Sequence, residues 1–213
     1  MARKSFDPLT LDVLWSRLAA IADEAAASVV RASFSTTVRE GNDFGCVLLD
    51  PGGNLVAQSS LAPAGFTGTL PLTAKRLLKE FPARGLRPGD MLLTNDPWIG
   101  AGHLADVSSL NPLFYKGRLV AFCGVASHVV DMGGRLPSPE ARELFEEGLR
   151  IPPCKFLSGG EPSEEVRRLL RANLRLPEQV EGDILAQAAA SRLAERRLRE
   201  LLEEYRLADL SEL

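Results

Sequence analysis

The chain has 213 residues, 45% of them hydrophobic, and a net charge of -3 with a pI of about 5.6. This apolar content is enough for a packed core, and the weakly acidic balance disfavours nucleic acid and anionic membranes as partners. The three cysteines are widely spaced, no secretory signal is recognisable, and the longest near-apolar run is too short to cross a bilayer. We therefore expect free thiols and a cytoplasmic location.

The first predicted element is a helix from residue 8 to about residue 32. Asp7 is suited to cap this helix, and Pro8 loses no hydrogen bond at the first helical position. Apolar residues recur at helical spacing and define a face that covers a core. Trp15 belongs to this stripe, and we expect it to be buried by packing rather than to hold a cofactor.

A β-hairpin is predicted next, with strands at 44–49 and 55–58 joined by a turn that contains proline and glycine. Residues 59–69 are expected to form a loop. Pro71 is then expected to open a short helix that ends at Phe81, because proline is favoured in the first turn of a helix.

A strand at 91–94 leads to a second predicted hairpin, whose strands cover residues 107–115 and 118–127. His103 precedes the first strand of this hairpin, and His128 follows the second. Antiparallel pairing therefore brings both imidazoles to the same end of the sheet.

The last part of the chain is predicted to be mainly helical. A short helix begins at Ser138 and ends near Gly148, and a loop through Gly160 follows it. Two further helices are predicted at about 163–173 and 177–207 from their apolar periodicity.

These elements predict an α+β fold with a mixed or antiparallel sheet, an N-terminal helix and a helical C-terminal third. We expect two units. Residues 1–160 would form an α/β domain with the metal site described below, and residues 161–213 would form a helical segment that packs on this domain or on a partner chain.

The two histidines suggest a metal site, because both stand beside carboxylates and glycines at strand ends. His103, Asp106 and His128 are the candidate ligands, since imidazole and carboxylate together suit Mn, Fe, Zn or Ni. A fourth ligand would come from Glu40 or Asp43. With an open coordination position, such a metal would act as a Lewis acid or hold a reactive hydroxide.

Asp131 is a further candidate, as a hydrogen-bond partner that would orient His128. In the alternative interpretation both histidines are ordinary hydrogen-bonded residues, with Asp96 and Asp106 forming turns. The spacing alone does not decide between the two. The sequence contains neither a Gly-x-x-x-x-Gly-Lys phosphate loop nor a Gly-x-Ser-x-Gly motif, so neither ATP handling nor serine hydrolase chemistry is predicted within this chain.

Several stretches resemble the hydantoinase B/5-oxoprolinase family, in the order in which the family has them and over about residues 7–205. They are REGNDF at 39–44, NDPW at 95–98, GHLADV at 102–107, SHVVDMGG at 127–134, EGLRIPP at 147–153 and GDILAQ at 182–187. Several motifs in the order of the family indicate membership more specifically than any single motif would.

The resemblance implies a B-type subunit related to N-methylhydantoinases and 5-oxoprolinases, and more distantly to acetone and acetophenone carboxylases. Such a subunit completes the hydrolytic ring opening of a small cyclic amide, of the hydantoin or 5-oxoproline class. ATP would be used by a partner of the hydantoinase A type. Two alternatives stay open, namely a related ketone carboxylase subunit and a truncated, non-catalytic assembly subunit.

The resemblance also implies a complete set of ligands for manganese or zinc. The set consists of Glu40, His103, Asp106 and His128. Asp43, Asp96 and Asp131 are candidate catalytic residues that would orient water or a metal ligand.

The sequence departs from the family pattern at several positions. The chain reads Gly-Ala-Gly-His at 100–103, where Gly-Gly-Thr-His is common in the family. Val129 replaces the second residue of a His-His pair, and residues 61–66 lack a histidine. The family's B-type subunits are more than twice as long, so the chain resembles their N-terminal portion. Its expected partners are a hydantoinase A-type subunit, a separate C-terminal half of the B-type subunit and a small-molecule substrate.

Overall fold

The computed structural model describes residues 6–135 and 140–213. Over these ranges the chain forms six α-helices, which are Pro8–Ala32 (α1), Thr36–Arg39 (α2), Ala64–Glu80 (α3), Leu144–Glu147 (α4), Glu164–Asn173 (α5) and Pro177–Glu204 (α6). The strands of the same ranges are Phe44–Leu49 (β1), Leu55–Gln58 (β2), Met91–Thr94 (β3), Asp106–Tyr115 (β4), Arg118–His128 (β5), Cys154–Ser158 (β6) and Glu161–Pro162 (β7).

The strands form one antiparallel sheet in the order β2-β1-β5-β4-β3-β6-β7. The longest pairing joins β4 and β5, from Asp106 opposite His128 to Tyr115 opposite Arg118. The prediction of an α+β fold with an antiparallel sheet is therefore confirmed.

Helices cover both faces of the central strands, which explains why all six residues of β1 are buried. Cys46 and Leu48 pack in a core shared with α1 and the second half of α6. Val47 and Leu49, which alternate with them along the strand, pack against α3 on the opposite face. The central sheet thus lies between two helical layers.

The N-terminal helix has the predicted bounds, and the Asp7 side chain accepts a hydrogen bond from the amide of Thr10. Leu14 and Leu18, which belong to the apolar stripe of this helix, are buried. The predicted burial of Trp15 is wrong, since this residue is 65% exposed. The apolar stripe of α1 is wider than the surface that the sheet and α6 cover, so Trp15 at its edge stays exposed.

The predicted start of the third helix at Pro71 is also wrong. Helix α3 begins at Ala64, and Pro71 lies inside it. The first two turns are held by Phe66 and Leu70, which are buried against the sheet. Gly45 permits this close approach, because a Cβ atom there would lie 2.9 Å from the Cβ atom of Phe66. Apolar burial offsets the hydrogen bond that proline removes.

The C-terminal part contains one pair of strands that the sequence did not predict. β6 and β7 form a short hairpin around Gly159 and Gly160, where only a loop was expected. The predicted helix start at Ser138 and Pro139 lies outside the described residues, and the described helix there is α4. Helices α5 and α6 agree with the prediction, with α6 ending at Glu204.

Helix α6 packs along α1 and against β4 and β5. The division of the chain into units at 1–160 and 161–213 stays a prediction. No helix in the described part of the chain is both long and apolar enough to span a membrane.

Candidate metal centre

His103, Asp106 and His128 meet at one end of the β4–β5 hairpin, and we call them the His–Asp cluster. Asp106 is the first residue of β4 and His128 the last of β5, and the two are directly opposed across the strands. His103 lies in the loop before β4, where its carbonyl accepts a hydrogen bond from the amide of Asp106. The predicted convergence of the two histidines at one end of the hairpin agrees with this register.

The Asp106 carboxylate lies between the two imidazoles. Its Oδ1 atom is 3.2 Å from His128 Nδ1, and its Oδ2 atom is 3.5 Å from His103 Nε2. The ring centroids of the histidines are 4.8 Å apart in an edge-to-face arrangement. The Asp106 side chain is buried, whereas 39% of the His103 side chain is exposed. The cluster therefore reaches solvent mainly through His103.

The donor set fits a divalent metal ion. One ligand atom from each residue lies within 4.8 Å of the others. Bonds of about 2.0–2.1 Å in tetrahedral geometry place neighbouring ligand atoms roughly 3.3 Å apart. Each imidazole has a nitrogen near this distance from one of the two Asp106 oxygens, His128 from Oδ1 and His103 from Oδ2. His103 Nδ1 is also buried without a hydrogen-bond partner among the described atoms. Two imidazoles and one carboxylate suit several divalent transition metals, including Mn, Fe, Zn and Ni.

The carboxylates around His128 raise its pKa. The hydrogen bond to Asp106 raises the pKa of His128 above its ordinary value, partial burial lowers it, and the negative charges of Asp106 and Asp43 raise it further. The net shift is upward. A cation at this position, whether a proton or a metal, is thus stabilised by nearby carboxylates.

Asp43 lies beside the cluster, whereas Glu40 is not among the described residues that could share a metal ion with it. The main-chain carbonyl of Asp43 accepts a hydrogen bond from the His128 amide at 3.0 Å, and its Oδ2 atom is 3.8 Å from His128 Nδ1. Glu40 is exposed at the end of α2, and no ion pair joins it to either histidine within the described ranges. Its role as a ligand stays a prediction.

Asp96 and Asp131 accept hydrogen bonds from residues outside the His–Asp cluster. Asp96 accepts hydrogen bonds from the amide of Trp98, through Oδ1, and from those of Ile99 and Gly100, through its carbonyl, so it forms the turn after β3. Asp131 makes no hydrogen bond to His128 in the part of the chain that the structure describes. Both catalytic assignments stay predictions.

The Asp131 carboxylate instead joins the segment after β5 to the start of α6. It accepts hydrogen bonds from the amides of Gly133, Arg175 and Leu176 and from the Arg175 guanidinium at 3.0 Å. Burial alone would raise the pKa of Asp131, but these hydrogen bonds outweigh it and hold the pKa below its ordinary value. We call Asp131, Gly133, Arg175 and Leu176 the Asp131 junction.

Two residues that the sequence did not single out hold the loop that carries His103. The buried Asn95 side chain donates to the carbonyls of Leu104 and Leu149 and accepts from the amide of Ile151 at 2.6 Å. Glu147 accepts from the amide of Leu104 at 3.0 Å. Both lie in stretches that resemble the family, and most of their partners are more than 40 residues away in sequence.

The fold and the cluster define an α+β protein that presents two imidazoles and a carboxylate at the end of a central hairpin. The chain belongs to the hydantoinase B/oxoprolinase family, whose sequence model matches residues 7–213. This match covers the whole sheet and the helices on both of its faces.

Two relatives have names that describe cyclic amide chemistry. The chain is 33% identical to the B component of a putative D-/L-hydantoinase of Pseudomonas sp. over 96% of its length, and 33% identical to the beta chain of the caprolactamase of Pseudomonas jessenii over 93%. It covers only 36% and 34% of these two proteins. The chain therefore spans about a third of the length of the relatives that it matches.

Two solved structures share the fold. The ATP-dependent caprolactamase of Pseudomonas jessenii superimposes with a TM-score of 0.82 at 31% identity, over 95% of this chain and 35% of that one. A nucleotide-free acetone carboxylase superimposes with a TM-score of 0.83 at 21% identity, over 93% of this chain and 26% of that one. The second comparison shows a common fold.

Proposed function

We propose that this chain is part of a B-type subunit that opens the ring of a small cyclic amide, of the hydantoin or 5-oxoproline class, by hydrolysis. Membership of the hydantoinase B/oxoprolinase family supports this proposal, together with relatives named as components of a hydantoinase and a caprolactamase. The observation that carries it is the His–Asp cluster, which brings two imidazoles and a carboxylate together, partly exposed, at one end of the central hairpin.

The cluster would hold a divalent manganese or zinc ion through His103, Asp106 and His128, with Glu40 as the fourth residue that the family pattern supplies. Such an ion, when bound, supplies a Lewis acid for the amide carbonyl or for its activated ester. Asp106 sets the spacing of the two imidazoles, because it lies within 3.5 Å of both.

Asp43 is the carboxylate best placed to orient a water molecule or the substrate. Its side chain is 45% exposed and lies 3.8 Å from His128 Nδ1. The oxygens of Asp131 are occupied by several hydrogen bonds, and Asp96 accepts a hydrogen bond from the backbone of its own turn. General base catalysis requires a carboxylate with an accessible lone pair beside the reacting atoms.

ATP would be used by a partner subunit of the hydantoinase A type. The chain has no glycine-rich phosphate loop, and its relatives are named as one component of a multi-chain enzyme. A second partner would be the remaining two thirds of a B-type subunit, whether encoded with this chain or separately.

The proposal is tested by assembling the chain with a hydantoinase A-type subunit and the remainder of a B-type subunit. We expect ATP-dependent ring opening of hydantoin, 5-oxoproline or caprolactam, measured by chromatography of the open-chain product. His128→Ala should abolish turnover and lower the metal content, while Lys79→Ala on the exposed face of α3 should change neither.

Other outcomes would redirect the assignment. Carboxylation of a ketone without hydrolysis of any cyclic amide would place the chain with the related carboxylases. A complex that assembles and contains no metal at the His–Asp cluster, and that turns over equally well with His128→Ala, would contradict the proposal.

A further inference from the structure

Gln187 is fully buried on α6 and joins the two strands that carry the cluster. Its Nε2 atom donates to the Ser127 hydroxyl at 2.8 Å and to the Val107 carbonyl at 3.1 Å. Val107 and Ser127 are directly opposed across β4 and β5, and the next opposed pair is Asp106 and His128. One amide group therefore fixes both strands one residue away from two candidate ligands.

Asp183 lies one helical turn before Gln187 and holds a third segment. It is also fully buried, and its Oδ1 atom accepts hydrogen bonds from the amides of Phe34 at 2.7 Å and Ser35 at 3.2 Å. Ser35 precedes α2, the helix that ends beside Glu40. The same side of α6 thus contacts every segment that carries a predicted ligand except the loop with His103.

Gly182 allows this arrangement. A Cβ atom at this position would lie 2.4 Å from the ring of Phe34, whose amide Asp183 binds. The stretch GDILAQ at 182–187 therefore holds neighbouring segments in place. Its glycine leaves room for Phe34, and its two polar side chains, Asp183 and Gln187, hydrogen-bond to backbone or hydroxyl groups.

We propose that Gln187 is a positioning residue for the metal ligands, with Asp183 fixing the segment that leads to Glu40. This inference rests on the proposed metal site. A site binds a metal ion more tightly when its ligands are already held in position. Loss of the hydrogen bonds that hold the ligands typically weakens metal affinity by about 10- to 100-fold. Gln187 acts on the ligands through the backbone of β4 and the Ser127 side chain.

The test compares Gln187→Met with the wild type and with Ser191→Ala. Methionine has a similar volume to glutamine but makes no strong hydrogen bond. Ser191 lies one turn farther along α6, is also buried, and lies beside the Cys123 thiol, five residues from His128. The affinity of the whole chain for Zn²⁺ alone would be measured by competition with a chromophoric chelator, beside thermal unfolding of each metal-free protein.

We expect Gln187→Met to weaken Zn²⁺ binding by about 10- to 100-fold, whereas Ser191→Ala should bind Zn²⁺ like the wild type. Gln187→Met loses two buried hydrogen bonds, to Ser127 and to Val107, so its thermal midpoint should fall further than that of Ser191→Ala. Equal Zn²⁺ affinity in Gln187→Met and Ser191→Ala would overturn the inference, since a purely structural role would affect only the unfolding temperature.

Ser127→Ala gives a second test that removes the 2.8 Å hydrogen bond from the other side. It should also weaken Zn²⁺ binding, and the effects of Ser127→Ala and Gln187→Met should not add. Normal Zn²⁺ binding by this variant overturns the positioning role even if Gln187→Met does not fold. A wild-type chain that binds no Zn²⁺ overturns both the metal site and the inference, whereas binding that no variant weakens overturns the inference alone.

Discussion

Asp106 and Asp131 are both buried carboxylates near the end of β5, but they have different partners. Asp131 accepts hydrogen bonds from three backbone amides and a guanidinium, so its oxygens are satisfied by the fold itself. Asp106 lies between two imidazoles, one of which has a buried nitrogen without a partner among the described atoms. The hydrogen bonds of Asp131 hold two segments of the fold together, whereas the partners of Asp106 are two side chains that can bind a metal ion.

The largest expected difference between the two aspartates concerns metal binding. Asp106→Asn keeps the shape of the side chain but removes its charge, so the affinity for Zn²⁺ should fall by more than about 100-fold, which exceeds the usual effect of an outer hydrogen bond. Asp131→Asn should bind Zn²⁺ like the wild type. Elemental analysis after dialysis against limiting chelator would measure both, with circular dichroism as a folding control. Equal metal loss in the two variants would contradict the proposed difference between Asp106 and Asp131 in metal binding.

The glycines of the two regions should also differ. Gly133 of the Asp131 junction has a φ of +87°, and a Cβ atom there would lie 2.3 Å from the Asn173 carbonyl oxygen. Gly102, beside His103, has a φ of +137° and open space around it. Gly133→Ala should therefore destabilise the fold by about 3 to 4 kcal/mol, and Gly102→Ala by roughly 1 to 2 kcal/mol from backbone strain alone. Chemical denaturation would compare them.

Stability at low pH should depend on Asp131. Because the pKa of this group is lowered in the folded state, its contribution is present above the unfolded value of about 3.9 and is lost as the pH falls through the folded pKa. Asp131→Asn should lower the free energy of unfolding at pH 7 by about 2 to 3 kcal/mol, because a charged acceptor is lost. The difference from the wild type should shrink on acidification below about pH 4. A constant difference across pH would contradict this account.

The smallest expected effect is a change in the pKa of His128 in the metal-free chain. Its pKa is raised chiefly by Asp106, so Asp106→Asn should lower the pKa towards about 6.5. The stabilisation from this pair is present below the unfolded pKa and is lost as the pH rises through the folded value. NMR titration of the imidazole would measure it, and Asp131→Asn should leave it unchanged.

The sequence predicts the part of the site that local pairing determines. Strand periodicity places His103 before one strand and His128 after its neighbour, and antiparallel pairing then brings them together. The cap at Asp7 and the β1–β2 hairpin are predicted for the same reason, since the interacting residues are close in sequence.

Contacts across long sequence separations could not be predicted in this way. Asn95 binds Leu149 and Ile151, and Gln187 binds Val107 and Ser127, through hydrogen bonds that depend on how distant segments pack together. Pro71 shows that a local preference can also give a wrong prediction. Proline favours a helix start, but the helix begins earlier because the residues before Pro71 are buried.

Both tryptophans of the sequence lie on the surface, with 65% of Trp15 and 84% of Trp98 exposed. The fluorescence of the folded chain should therefore resemble that of a solvated indole, and unfolding alone should change its wavelength little. Trp98 lies in the loop that leads to His103, whereas Trp15 lies on α1 beside the C-terminal residue Leu213 in one apolar groove. Single-tryptophan variants would consequently report, by a shift of emission to shorter wavelength, which of these two surfaces a partner covers.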